Sequence, residues 1–207
     1  MSFSSDVKEE LTEYMPKARH CQIAEIAAVT MLCGRIRITE TGGYRLLIHT
    51  ENIYTVRKFY ELLREAFDIR GEVSIRKNIS KNSMMYTILV KDEAAKEVLE
   101  AIKLLSKEGS FRDDYSLVSN MIVQSICCKK AFLRGAFLAS GSASDPEKSY
   151  HFEIVVDSKS KALELTGIFS EVGIKAKLIK RKNHYPVYIK ESDEISEFLG
   201  ITEAHKA

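Results

Sequence analysis

The sequence lacks most of the motifs that identify common enzymes. None of its four cysteines stands in a C-x-x-C pair, and its five histidines show no metal-ligand spacing. It has no G-x-x-x-x-G-K-[ST] loop, no G-x-G-x-x-G turn and no G-x-S-x-G elbow. These absences argue against familiar nucleotide-binding and serine-hydrolase sites. The sequence therefore predicts no cofactor and no metal site.

Long hydrophobic runs and a secretory leader are also missing. No apolar run approaches the roughly 18–20 residues that a membrane helix needs, and the N-terminus has no basic region followed by an apolar stretch. The expected location is therefore the cytoplasm, with no membrane partner. Adjacent Cys127 and Cys128 cannot form an ordinary disulfide or, alone, a four-ligand zinc site. Buried, reduced thiols are expected.

The 207 residues have the composition of a folded globular protein. Hydrophobic residues make up 45% of the chain and charged residues 29%, which excludes disorder, collagen-like repeats and disulfide scaffolds. The net charge is only +2. Because this balance neither requires nor excludes a nucleic-acid partner, the position of the charges must decide.

Hydrophobic periodicity divides the chain into two similar halves. In the first half it predicts helices at 6–14, 22–33, 52–67 and 93–105, and strands at 35–39, 44–50, 71–77 and 84–91. In the second half it predicts helices at 119–140 (in two pieces), 159–172 and 192–199, and strands at 150–156, 174–181 and 184–190. Aligning Gly34 with Gly141 gives a period near 107 residues, which indicates pseudo-symmetric halves. The polar segment 106–114 is the predicted junction.

Two segments of the predicted helices resemble degenerate LAGLIDADG motifs: 26–34 (IAAVTMLCG) and 133–141 (LRGAFLASG). The longer run 132–142 (FLRGAFLASGS), followed by 145–146 (DP) and 150–153 (YHFE), is similar to the WhiA family. The opening segment 2–11 (SFSSDVKEEL) is similar to it as well. These are bacterial regulators of sporulation and cell division, and the resemblance covers nearly the whole chain.

The resemblance implies an α+β fold like that of LAGLIDADG homing endonucleases. Two pseudo-symmetric αββαββ(α) halves would pack their helices on mostly antiparallel sheets, and the sheets would form a saddle over duplex DNA. The expected divisions are an N-terminal helical arm at 1–18, a first half at 19–110 and a second half at 111–207. The family's C-terminal helix-turn-helix domain is expected to be absent from this chain.

The family's catalytic positions carry no acid here. In active endonucleases the residue before the closing glycine of each motif is acidic and binds divalent metal; the matching residues are Cys33 and Ser140. A thiol and a hydroxyl cannot replace carboxylate ligands for hard cations. Glu25 lies about two turns upstream, and Asp145 belongs to an Asp-Pro turn. The sequence therefore predicts that the chain is not an enzyme.

Basic residues lie on the predicted strands that would form the saddle. Arg35 and Arg37 share one strand face and are the expected base contacts, while alternation places Lys175, Lys177 and Arg181 on another common face. Exposed lysines on strands also discourage aggregation, which is the alternative interpretation. The candidate DNA-binding residues are Arg35, Arg37, Arg45, Arg76, Lys77, Lys81, Lys175, Lys177, Lys180, Arg181 and Lys182.

Three functions remain open at this point. The first is a non-catalytic DNA-binding domain of a WhiA-type transcriptional regulator, monomeric and associated with the nucleoid. Its partner would be double-stranded DNA, bound together with the missing helix-turn-helix domain, besides other transcription or cell-division proteins. The second is a protein-interaction scaffold without DNA contact. The third is a metal-dependent nuclease that uses unexpected ligands such as Asp145.

Overall fold

The computed structural model describes residues 2–112, 116–145 and 151–206. The first half contains α1 (Phe3–Glu13), α2 (Arg19–Cys33), β1 (Gly34–Ile38), β2 (Tyr44–Thr50), α3 (Ile53–Phe67), β3 (Glu72–Asn78), β4 (Ser83–Lys91) and α4 (Asp92–Ala101). The second half contains α5 (Ile126–Ser140), β5 (Gly141–Ala143), β6 (Phe152–Val156), α6 (Lys159–Glu171), β7 (Lys177–Leu178), β8 (Tyr185–Tyr188) and α7 (Ser192–Ile201). None of the described helices combines the length and the hydropathy of a membrane span.

The two halves repeat one sheet topology. The first sheet has the order β1-β2-β4-β3 and the second the order β5-β6-β8-β7, and every pairing is antiparallel. Successive strand residues point to opposite faces, so one face of each sheet is apolar and packs on helices. Ile48 and Ile88 bury this face in the first sheet, and Phe152 and Ile154 do so in the second. The predicted α+β fold with two pseudo-symmetric halves is confirmed.

The closest contact between the halves is made by the central helices α2 and α5. A Cβ atom on Gly135 would lie 2.6 Å from the carbonyl oxygen of Glu25 and 2.9 Å from the Cβ of Ala28. Small residues are needed here because larger side chains hold helix axes about 8–10 Å apart. The small residues of the two LAGLIDADG-like segments thus join the two halves.

Each central helix continues into a strand without a loop. Cys33 is followed by Gly34, the first residue of β1, and Ser140 is followed by Gly141, the first residue of β5. Both glycines have extended backbone angles and cap the helix by donating to a carbonyl of its last turn. A Cβ at either position would collide with the preceding helical turn. The abrupt change from helix to strand therefore explains the closing glycine of each segment.

A buried ion network lies beside the central helices. Glu25 is fully buried, and its carboxylate lies 3.4 Å from Lys58 Nζ and 3.1 Å from Arg134 Nη1. Lys58 also donates to the carbonyls of Leu11 and Tyr14, while Arg134 Nε donates to that of Thr202. This network connects α2, α3 and α5 to the ends of α1 and α7.

Several predicted elements were wrong in extent. The helix predicted to end at 105 stops at Ala101, because Lys103 adopts a positive φ and the chain folds back onto the carbonyl of Leu99. Residues 119–125 form turns rather than helix, since Ser125 caps α5 by accepting from the amide of Cys128. Residues 113–115 and 146–150 lie outside the described residues. They include Asp114, the last residue of the predicted junction, and Tyr150, the first residue of the strand predicted at 150–156.

The strand predicted at 174–181 is reduced to Lys177–Leu178. Its first residues leave the sheet, and the amide of Lys175 donates instead to Glu194 of α7. The facing strand β8 contains Pro186, which has no amide hydrogen for the ladder. Beyond Leu178 the amide of Ile179 donates to the carbonyl of Pro186, and an isolated bridge joins Arg181 and His184. The domain boundaries at 18 and 110 stay predictions.

Replacing Gly135 with alanine tests the close approach of α2 and α5. We expect Gly135→Ala to lower the free energy of unfolding by about 1–3 kcal/mol, because overpacking outweighs the better helix propensity of alanine. Thermal or urea unfolding measures the change. Gly167 of α6 is the matched control, since a Cβ there meets no atom within 4 Å. Gly167→Ala should instead stabilise by about 0.5–1 kcal/mol, and equal effects of the two changes would contradict the close approach.

Candidate nucleic-acid interface

The outer face of the first sheet gathers most of the predicted arginines. Strand register places Arg35 opposite Leu47, Arg37 opposite Arg45, and Arg76 opposite Met85. Residues paired in this way share a face, and this face lies opposite the buried side chains that contact the helices. The register also places Arg45 on the face of Arg37.

This outer face is concave. A depression of about 540 Å³ is lined by Arg35, Arg37 and Arg76, together with His49, Glu72 and apolar or small side chains of β2, β3 and β4. His49 Nδ1 lies 3.0 Å from the hydroxyl of Thr87 on the same face. The concavity is the geometry expected of the saddle. Arg35 and Arg37 of β1 lie on one side of it, and Arg76 of β3 lies on the other.

Acidic neighbours divide the cations of this face into two groups. Arg45 forms an ion pair with Asp92 at 2.7 Å, and Lys91 forms one with Glu72 at 2.6 Å. Arg35, Arg37 and Arg76 are exposed and form no ion pair with any described residue. We name these three residues the arginine group; among the described residues they are the cations of this outer face that remain available to an external anion.

Two other candidates of the first half lie elsewhere. Lys77 pairs with Met84 in register, so it lies on the opposite face of β3 from Arg76. Lys81 lies in the turn between β3 and β4, where its Nζ is 3.9 Å from a carboxylate oxygen of Glu51. The structure therefore does not bring Lys77 to the concave face.

The second sheet presents fewer available cations. Lys177 pairs with Tyr188, which places it on the outer face together with Glu153. Arg181 also reaches this face, but its Nη1 lies 3.5 Å from Glu153 Oε2.

The remaining candidates of the second half flank the short strand β7. Lys175 precedes it, Lys180 follows it, and Lys182 occupies the turn before β8 with a positive φ. The common strand face predicted for Lys175, Lys177 and Arg181 is thus present only for the last two.

The C-terminal ends of the central helices carry neutral groups and a buried amine. Burial raises the pKa of the Cys33 thiol to about 12, so the thiol stays protonated near neutrality. Ser140 Oγ is buried and has no hydrogen-bond partner among the described residues. Lys8 of α1 is also buried here, with its Nζ 5.6 Å from the ring centre of Phe137 and close enough to influence Cys33. The carboxylate of Glu25 forms ion pairs with Lys58 and Arg134, so it does not replace the missing acids at these helix ends.

Sequence reasoning missed Lys8, His49 and Lys91. The alternation of 84–91 could have placed Lys91 on the outer face with Thr87, and that of 44–50 could have done the same for His49. No sequence signal marked Lys8, because its position depends on how α1 crosses the central helices.

The paired central helices and the concave antiparallel sheets define a LAGLIDADG-type fold, the fold of homing endonucleases such as I-DmoI. The crystal structure of I-DmoI in complex with DNA and Mn matches with a TM-score of 0.60 and 14% sequence identity, covering 92% of this chain and 99% of that chain. At this identity the likeness concerns the fold alone.

Comparison with known proteins narrows this class. Residues 19–105 match the WhiA N-terminal LAGLIDADG-like domain, and residues 129–207 match the WhiA LAGLIDADG-like domain. The probable cell division protein WhiA of Lachnoclostridium phytofermentans is 44% identical over 207 residues, covering 99% of this chain and 66% of that protein. The crystal structure of full-length DUF199/WhiA from Thermatoga maritima has a TM-score of 0.74 at 19% identity, covering 100% of this chain and 63% of that chain.

The chain therefore belongs to the WhiA family of cell division proteins. It spans 66% of the length of its curated relative from Lachnoclostridium phytofermentans.

Lys8 makes stability depend on pH. Burial lowers its pKa from 10.5 to about 8, so between these values the unfolded chain binds more protons than the folded protein and stability rises with pH. We expect Lys8→Met to stabilise the protein at pH 7 by about 2–3 kcal/mol and to lose this advantage towards pH 10. Chemical denaturation across this pH range measures it. The exposed Lys159→Met variant is the control, and parallel pH profiles of Lys8→Met and the unaltered protein would contradict the assignment.

Proposed function

We propose that this chain is the non-catalytic, duplex-DNA-binding part of a WhiA-type transcriptional regulator of sporulation and cell division. The observation that carries the proposal is the arginine group on the concave outer face of the first sheet. Exposed arginines without acidic partners suit phosphate oxygens, which guanidinium groups bind in bidentate geometry. The associated cellular place would be the nucleoid.

The shape of this face supports a duplex as the ligand. A major groove is about 12 Å wide and admits a two-stranded β-ribbon, and β1 and β2 form such a ribbon with Arg35 and Arg37 on its outer side. I-DmoI, which shares the fold, has been crystallised with its target DNA. We therefore expect the outer face of the first sheet to contact DNA.

The two sheets would contribute unequally. The outer face of the first sheet offers three arginines that pair with no acid among the described residues, whereas the second sheet offers Lys177 and an Arg181 that Glu153 partly neutralises. Most backbone contacts would thus come from the first half. Contacts of this kind give salt-sensitive affinity with little sequence information, so reading of the target sequence would depend on a further DNA-binding element of the family.

The residues at the C-terminal ends of α2 and α5 argue against cleavage of DNA by this chain. Two-metal hydrolysis needs carboxylates that hold the ions at the scissile phosphates, and the corresponding positions hold Cys33 and Ser140. The buried amine of Lys8 lies beside them, and its positive charge would repel a divalent cation. Three features of this end therefore oppose metal-dependent catalysis.

Binding to labelled duplex DNA across a salt series tests the proposal. Fluorescence anisotropy should show affinity that falls steeply with salt. Combined Arg35→Ala, Arg37→Ala and Arg76→Ala changes should weaken binding. They should also make the negative slope of log K against log salt less steep by about 2–3, because each lost phosphate contact removes about 0.9 from its magnitude.

Lys77→Ala is the matched control, since it removes a cation from the same strand as Arg76 but from the opposite face. It should leave the slope unchanged. Equal effects of the control and the triple variant would refute the proposed face. Absence of binding even at low salt would refute DNA contact by this chain and would favour the protein-interaction scaffold.

Cleavage has a separate test with supercoiled plasmid. Incubation of the unaltered chain with Mg²⁺ or Mn²⁺ should leave the plasmid intact, because neither helix end offers a carboxylate. Gel electrophoresis measures nicking. Nicking that requires the metal and disappears in Asp145→Asn would contradict the proposal and would restore the nuclease alternative.

A further inference from the structure

Four potential metal ligands meet at the N-terminal ends of the central helices. His20 and Cys21 lie in the first turn of α2, and Cys127 and Cys128 lie in the first turn of α5. One ligand atom from each side chain lies within 4.8 Å of all the others. His20 Nδ1 is 3.1 Å from Cys128 Sγ and 3.5 Å from Cys21 Sγ. This group, the Cys3His cluster, lies at the opposite end of α2 and α5 from Cys33 and Ser140.

The spacing of the cluster is close to that of a tetrahedral zinc site. With Zn–S near 2.3 Å and Zn–N near 2.0–2.1 Å, a tetrahedron separates its nitrogen and sulfur atoms by about 3.6 Å and its sulfur atoms by about 3.8 Å. The two nitrogen–sulfur distances of 3.1 and 3.5 Å lie within about 0.5 Å of the first value, and the upper limit of 4.8 Å on all separations exceeds the sulfur–sulfur value by about 1 Å. Rotation of exposed side chains is enough to close that difference, since His20 and Cys127 are both exposed.

The chemistry of the cluster also favours a thiophilic cation. Three cysteines and one histidine form a closed ligand set that is typical of structural zinc. Ser125 Oγ lies 3.2 Å from Cys127 Sγ. The positive N-terminal ends of two helices further stabilise thiolates.

The two halves contribute equivalent positions to the cluster. The offset of 107 residues that aligns Gly34 with Gly141 also aligns His20 with Cys127 and Cys21 with Cys128. Each half therefore supplies one adjacent pair, and neither pair alone completes a four-ligand site. The sequence analysis predicted no metal site because it considered spacing along the chain, and it missed this group for that reason.

We propose that the Cys3His cluster binds one zinc ion that joins the two halves at the N-terminal ends of α2 and α5. Binding would release the protons of the three thiols and involve no change of oxidation state. A cleft of about 570 Å³ beside the cluster, lined in part by Lys103, Met121 and Ile122, gives the ion a path from solvent. The site would be structural because protein side chains fill all four positions.

Metal analysis of the full chain tests the proposal. Protein purified without chelators from zinc-supplemented cells should contain about one zinc ion per chain. His20→Gln and Cys127→Ser, which alter the two exposed ligands, should each lower the zinc content by at least about fivefold, since removing one of four ligands opens the site. Cys33→Ser is the matched control, because Cys33 lies outside the cluster, and it should retain the metal.

Two further readouts address variants that lose metal by misfolding. Chelation of the unaltered protein should lower Tm by about 5–15 °C, and re-addition of zinc should restore it. Titration of the chelated protein with Co²⁺ should produce the visible absorption bands of tetrahedral cobalt–thiolate, and these should be absent in Cys127→Ser but present in Cys33→Ser.

Three outcomes would overturn the proposal. The first is a zinc-free protein that also gives no cobalt–thiolate absorption. The second is a metal-free protein in which two thiols react only after reduction, which would assign a disulfide to the cluster instead. The third is zinc that Cys127→Ser and His20→Gln both retain in full, which would place the metal elsewhere.

Discussion

The buried carboxylate of Glu25 is the centre of an ion network that links five helices of this protein. It is fully buried on α2, where an unpaired charge would be very costly. Lys58 from α3 and Arg134 from α5 neutralise it, and their remaining donors bind main-chain carbonyls at the ends of α1 and α7. Removing one partner of such a network typically costs about 3–5 kcal/mol. The network therefore specifies one arrangement of five helices, beside the point where Gly135 lets α2 and α5 touch.

The close packing of the two helices has consequences at both of their ends. At the C-terminal ends, the abrupt turns at Gly34 and Gly141 direct β1 and β5 into the two sheets. There the chain carries Cys33 and Ser140 instead of acids. At the N-terminal ends, the same packing brings two pairs of potential ligands within 4.8 Å of one another. In this chain the helix pair thus keeps the frame of the endonuclease fold, and the groups suited to a thiophilic metal lie at the opposite end.

Elements with strong local signals could be predicted from the sequence almost residue by residue. The strand predicted at 44–50 has the same bounds in the structure. The helix predicted at 52–67 begins one residue later, because Asn52 caps it. Prediction was wrong where a neighbour decides the outcome. The alternating pattern of 174–181 resembles a strand, but its pairing depends on β8, where Pro186 cannot donate. The helical pattern after 119 is interrupted because the side chain of Ser125 caps the helix that follows.

Four properties could be read from the amino-acid sequence alone: the family, the 107-residue repeat, the missing acids before Gly34 and Gly141, and the shared face of Arg35 and Arg37. These properties depend on residue identity or on local backbone period. The folded arrangement was needed to show that Arg45 pairs with Asp92, that Lys77 lies on the other face from Arg76, and that His20 and Cys128 are neighbours. Strand register and helix packing set these contacts between residues far apart in the chain, and no local period encodes them.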